Sequence, residues 1–192
     1  MMHALLTPND TNFSSQWDLT DPTGGVNQTA AWDIATGTGI RVAVIDTGIT
    51  PHSDLTGQTV GGYDFISDSA AARDGNARDS NPNDEGDWYG ANECGAGIPA
   101  SNSSWHGTHV TGTIAALTNN ARGVASMAYG AKVVPVRVLG KCGGSVSDIV
   151  DAIFKRIRCR AAPINGIALG VRLALLLHPS GWFLVHMSHS KI

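Results

Sequence analysis

The sequence predicts an α/β fold, a parallel β-sheet flanked by helices, and three observations lead there. Val42-Ala43-Val44-Ile45 is a continuous apolar run with turn residues on either side, the pattern of a strand buried on both faces. Residues 131–140, "AKVVPVRVLG", form a second run of that kind. Segments of helical character lie between and after the two, giving the strand, helix, strand, helix rhythm of βαβ units.

Taken in order, "GGVNQTAAWDIATGTG" reads as a turn and a short helix over about 27–36, stopped by Gly37 and Gly39. The first strand lies within "IRVAVIDTG", residues 40–48. Residues 67–104, rich in Asp, Asn, Ser and Gly and without periodicity, read as one long loop, and long ordered loops in compact domains are functional or held by something. "WHGTHVTGTIAAL", residues 105–117, opens a buried helix in which Gly107 is expected to let the backbone pass close by and Gly112 to allow tight packing on the sheet. Pro135 has no N–H, so the second strand accommodates it where that position faces no partner. "GGSVSDIVDAI", residues 143–153, is a Gly turn feeding a helix, with Ser147 as N-cap and Asp148 and Asp151 near the positive end of its dipole.

A chain of 192 residues with 42% hydrophobic content can bury the core of one domain. Its net charge of −3 gives no general attraction to nucleic acid or to an anionic membrane. "MMHALLTPNDTNF" has no charged region followed by an apolar run, so no export signal is read in it. "IALGVRLALLL", residues 167–177, is interrupted by Arg172 and too short for a membrane span. Six acids, Asp68, Asp74, Asp79, Asp84, Glu85 and Asp87, crowd residues 68–87 of the long loop, and a hard cation such as Ca²⁺ would relieve their repulsion. Asp68, Asp74, Asp79 and Asp84 are the candidate ligands of a structural calcium, against the alternative of a solvated acidic loop without EF-hand spacing.

Asp46 directly follows the first strand, and functional groups gather at the carboxyl ends of strands in open parallel sheets. His106 stands at the entry of a helix whose positive end keeps its imidazole neutral, as a general base requires. A buried Asp bonded to the other ring nitrogen would fix the tautomer and stabilise the cation formed during reaction. Two alternatives stand beside this. His106 and His109 could form an i,i+3 metal pair, although the chain has no HExxH and no obvious third ligand, and Asp46 could be a capping residue.

"VAVIDTG" followed by "HGTHVTGTIAA" resembles the Asp and His signatures of the subtilisin-like serine proteases, the subtilases, in the Asp-before-His order of that family. "PHSDL" and "GVASMAYGAKVVPVRVLG" extend the likeness, which runs from about Gly24 to Ile153. The resemblance implies a three-layer subtilisin-like domain, incomplete here, in a secreted, monomeric endopeptidase that cuts polypeptides without a catalytic cofactor. Asp46 would be the orienting acid, His106 the general base and His109 a structural residue of the helix. Gly143, Gly144 and Ser145 would line the cleft beside an extended substrate backbone. Cys94 and Cys142 resemble the bridged cysteines of secreted bacterial members, with two free thiols as the alternative in a reducing compartment.

The family's nucleophile sits on a "GTSMA"-like turn, and no such turn occurs in these 192 residues, nor does the family's oxyanion Asn segment. The nearest text match is "VASMA", but Ser126 in it precedes the second strand, where the family has an ordinary connection. The organisation expected is an N-terminal segment 1–23, the N-terminal part of a peptidase domain at 24–153, and an atypical tail at 154–192. The tail holds six basic residues and no acid, whereas residues 1–153 hold all sixteen acids against seven basic residues. A shifted reading frame or a truncated gene product is the expectation for it, and a basic membrane-surface helix the competing idea. The chain is then an inactive fragment or a remnant binding module, with an open sheet edge and an unfinished core.

Overall fold

The computed structural model describes residues 6–158 and 182–185. Its elements are α1 (Trp17–Thr20), α2 (Gln28–Trp32), β1 (Arg41–Asp46), β2 (Tyr63–Asp64), α3 (Ser69–Ala72), α4 (His106–Ala115), β3 (Lys132–Arg137), α5 (Val146–Arg158) and β4 (Trp182–Val185). The strands form a parallel sheet in the order β2-β3-β1-β4. β1 is central because its apolar run can fill both faces. Ala43 and Ile45 join Val134, Val136, Val138 and Phe65 in a cluster closed by Ile149, Ala152 and Ile153 of α5. Val44 points the other way, into a cluster with Val133 and with Val110, Ile114 and Ala115 of α4. The result is the expected three-layer arrangement of helix, sheet and helix.

Pro135 is fully buried opposite Val44. Val133 exchanges backbone bonds with Gln58 and Val60, and Arg137 accepts from Phe65, so by the alternation of a strand Pro135 also faces the β2 side. It falls there between the Thr59–Val133 bridge and the start of β2, where the ladder is broken and no N–H is needed.

Residues 6–23 pack on the domain: Phe13 and Leu19 cluster with Trp32 and Ala125, and Gln16 exchanges two 2.8 Å bonds with the Ala125 backbone. Two local expectations change. The helix expected over 27–36 is confined to Gln28–Trp32, pinned by 2.8 Å and 3.1 Å bonds from Gln28 and Trp32 to the Met127 carbonyl. α5 starts before Ser147, and Ser145 Oγ accepts the Asp148 N–H at 3.1 Å, so Ser145 does the capping. β1 also pairs with β4, which lies in the stretch set apart as a tail. Cys159, the third cysteine of the sequence, and the surface helix weighed for the tail lie outside the described residues. Among the described residues no helix is long and apolar enough to cross a membrane.

Candidate active site

β1 delivers Asp46 to the carboxyl end of the sheet, 3% exposed. Its Oδ2 lies 2.7 Å from His106 Nδ1, and its Oδ1 accepts the Thr47 N–H at 2.7 Å. Both carboxylate oxygens are thus engaged, one by backbone and one by the imidazole. A carboxylate facing Nδ1 keeps the ring proton on that nitrogen and makes Nε2 the basic one. The two residues that the sequence singles out, 60 positions apart, are therefore brought together in a hydrogen-bonded pair.

The close approach of α4 to the end of β1 depends on Gly107. A Cβ there would lie 2.3 Å from the Gly48 carbonyl oxygen and 3.2 Å from Asp46 Cβ. Gly112, expected to serve the packing, does not: a Cβ there would meet nothing within 4 Å. The loop after β1 is tied to the same helix start, since Thr50 N–H donates to Thr108 Oγ1 at 2.9 Å. His109 is exposed on α4, and of the two histidines only His106 reaches Asp46.

The turn expected to line a cleft springs from the same end of the sheet. Val138 N–H donates to the Asp46 carbonyl at 2.8 Å, and the chain then turns through a Gly140–Gly143 bridge into exposed Gly143, Gly144 and Ser145. Cys94 and Cys142 are joined in a disulfide with Cα atoms 5.3 Å apart, and Lys141 pairs with Glu93 at 3.0 Å beside it. Ser126 is fully buried and donates to the Ala116 carbonyl at 2.8 Å, a structural bond away from the pair.

The four candidate calcium ligands are engaged separately, and among the described residues no group of three or more His, Cys, Asp or Glu gathers to hold a metal ion. Asp68 caps α3 by accepting the Ala70 N–H at 2.9 Å. Asp74 lies 3.6 Å from Arg137, Asp79 accepts from Asn81 N–H at 2.7 Å, and Asp84 accepts from the Thr47 hydroxyl at 2.6 Å. Two guanidinium groups relieve the crowding of charge. Arg137, fully buried, holds Asp64 at 2.6 Å and donates to the Ala72 carbonyl. Arg78 bridges the loop to Asp148 and Asp151 of α5.

Burial pushes the Asp64 carboxyl up to about 6, outweighing the downward pull of the Ile66 N–H and of Arg137. Burial also raises Asp84, against its bonds from Thr47 and Gly86. At Asp148 burial pushes up, but bonds from Arg78, Ser67 and Ser145 win and the carboxyl falls below the ordinary range. Sequence reasoning passed over Arg137 and Asp64. The available signal was a lone charge inside an apolar strand, which must find a partner when buried.

The subtilase family model matches residues 37–172, beyond the 153 boundary drawn from the motifs. An extracellular protease of Xanthomonas campestris pv. campestris is 69% identical over 180 residues, which are 94% of this chain and 30% of that protein. An extracellular basic protease of Dichelobacter nodosus is 54% identical over 153 residues, 77% of this chain and 25% of that protein. A solved structure of a protease from Pseudoalteromonas arctica superposes with a TM-score of 0.75 at 59% identity, covering 77% of this chain and 43% of that one. The chain thus spans less than a third of the length of those two relatives.

Proposed function

The chain belongs to the subtilase family, and from that premise we propose that it carries the acid–base half of a serine-type endopeptidase site. The observation that carries this reading is the 2.7 Å contact between His106 Nδ1 and Asp46 Oδ2 at the carboxyl end of β1. In the reaction, His106 Nε2 takes the proton of an attacking serine hydroxyl as its oxygen bonds to the peptide carbonyl carbon. Asp46 stabilises the imidazolium formed. The same proton then passes to the leaving amine as the peptide C–N bond breaks, and water completes the cycle by hydrolysing the acyl-enzyme. No cofactor is required for these steps.

Gly143, Gly144 and Ser145 line the cleft and pair with an extended polypeptide substrate in this reading. The enzyme is secreted and works as a monomer. Support for secretion comes from the relatives named extracellular proteases and from the Cys94–Cys142 disulfide, a bond that persists in oxidising compartments. The nucleophilic serine and the oxyanion Asn stand outside these residues, so the 192-residue chain is inactive by itself. The support is that no "GTSMA"-like turn occurs in the sequence and that the one near match places its serine in the core.

A fluorophosphonate probe tests both parts. The chain alone is expected to stay unlabelled and to leave a peptide substrate intact. A hybrid in which residues 24–153 replace the aligned segment of the Xanthomonas campestris relative is expected to be labelled and to turn over. Stoichiometric labelling of the chain alone overturns the inactivity, and a folded but silent hybrid overturns the acid–base role.

A further inference from the structure

α4 begins without a capping side chain. Its preceding residue, Trp105, lies in the left-handed region at φ +51° and makes no side-chain cap bond. The first N–H groups of a helix have no acceptor within it, and here the first two go to hydroxyls. Gly107 N–H donates to Thr47 Oγ1 at 3.0 Å, and the Thr47 hydroxyl donates to Asp84 Oδ2 at 2.6 Å. His106 N–H donates to Ser104 Oγ at 3.3 Å, and the Ser104 hydroxyl donates to Asp87 Oδ2 at 2.9 Å. Asp87 Oδ1 also takes the Ser104 N–H at 2.6 Å. Two carboxylates from one short stretch of the acidic loop thus hold, each through one hydroxyl, the first two backbone amides of the helix that carries His106.

A hydroxyl has a single proton. Once that proton is given to an ionised carboxylate, the oxygen's lone pairs are turned toward the amide, and the direction of each link is fixed. We propose that Asp84 and Asp87 are positioning residues of the acid–base pair, bracing the first turn of α4 so that the His106 ring stays on Asp46. This rests on the acid–base reading of Asp46 and His106 given above. The Asp84 branch is buried, and its Thr47 also donates its N–H to Asp46, so the strand end and the helix start belong to one network. The Asp87 branch is exposed and acts on the His106 amide alone. The long loop then has a task that its composition does not announce: it holds the general base in register.

Proton NMR and amide exchange of the intact chain test this. The low-field resonance of the His106 Nδ1 proton reports the bond to Asp46, and exchange at residues 106 and 107 reports the two braces. Thr47→Val removes the hydroxyl. Asp84→Asn keeps the shape but replaces one of two acceptor oxygens with an amide group, where the Thr47 hydroxyl and the Gly86 N–H both need an acceptor. Both are expected to broaden or lose the low-field resonance and to speed exchange at Gly107 about tenfold, the β3 amides being unchanged. Thr47→Ser restores both signals, and Asp87→Asn speeds exchange at His106 by a smaller factor. An unchanged resonance and unchanged Gly107 exchange in Thr47→Val and Asp84→Asn overturn the proposal, as does Thr47→Ser behaving like Thr47→Val. Should the buried-branch variants lose their dispersed spectra, Asp87→Asn decides, and unchanged His106 exchange in it overturns the proposal. A silent hybrid in the labelling experiment sinks the acid–base role itself, and the exchange outcomes still judge the braces.

Discussion

The sheet with α4 and the acidic loop at 67–104 are held by different physics. In the first, Val44, Val133 and Val136 are buried by neighbours that repeat with strand and helix periods. A fully buried side chain of that kind contributes roughly 1.5–3 kcal/mol. In the second there is one short helix, and the chain is fixed by side chain to backbone bonds at Asp68, Asp79 and Asp84, by Arg78 and Arg137, and by a disulfide. In a periodic apolar region the cost of one lost contact depends on how far its neighbours can relax into the gap. A region held by point bonds depends on each, because a removed partner leaves a buried polar group unsatisfied.

The sharpest way to break that contrast is Arg137→Ala. It strands Asp64 and Asp74 without their guanidinium and frees the Ala72 carbonyl. Removing one partner of a buried ion pair costs about 3–5 kcal/mol. Denaturant unfolding should register that loss, and limited proteolysis should cut first within 67–104. A loss under about 1 kcal/mol would mean that apolar packing holds the loop after all.

Asp64 gives a pH test of the same anchor. Its carboxyl lies at about 6 in the folded chain against an ordinary 3.8. Between those values the native state binds a proton that the unfolded chain does not, so this residue favours folding as the pH falls from 6 toward 4. The effect is on the order of 2–3 kcal/mol across that window. Stability profiles of the parent and of Asp64→Asn should therefore diverge in slope there, the parent gaining relative to the variant on the acid side. Parallel profiles would contradict the burial effect.

The smallest expected effects concern two glycines of α4. Gly107→Ala drives a methyl into the Gly48 carbonyl and should cost about 1–3 kcal/mol. Gly112→Ala meets open space and should gain up to about 1 kcal/mol of helix propensity. Thermal melts of the two variants should move in opposite directions.

The fold was legible where periodicity and burial coincide. The run 42–45 marks a strand buried on both faces, and its central place with helices on either side follows from that alone. Asp46 and His106 were legible because a strand end and a helix start are places where a sequence can be read for chemistry. The braces on α4 were not, since Asp84 and Asp87 meet their hydroxyls at separations of 37 and 17 residues, with no period to announce the pairing. Ser145 rather than Ser147 as the cap of α5, and the open space beside Gly112, are local details that only the backbone path decides. Arg137 was hidden for another reason: one charge in an apolar strand points to a partner without saying which.

The central claim is that Asp46 and His106 form a working acid–base pair. Peptide hydrolysis by the hybrid that carries residues 24–153, compared with its His106→Ala form, tests it most directly. The account predicts a fall in kcat of about 10⁴-fold or more with KM little changed. Equal rates in the two forms would contradict it.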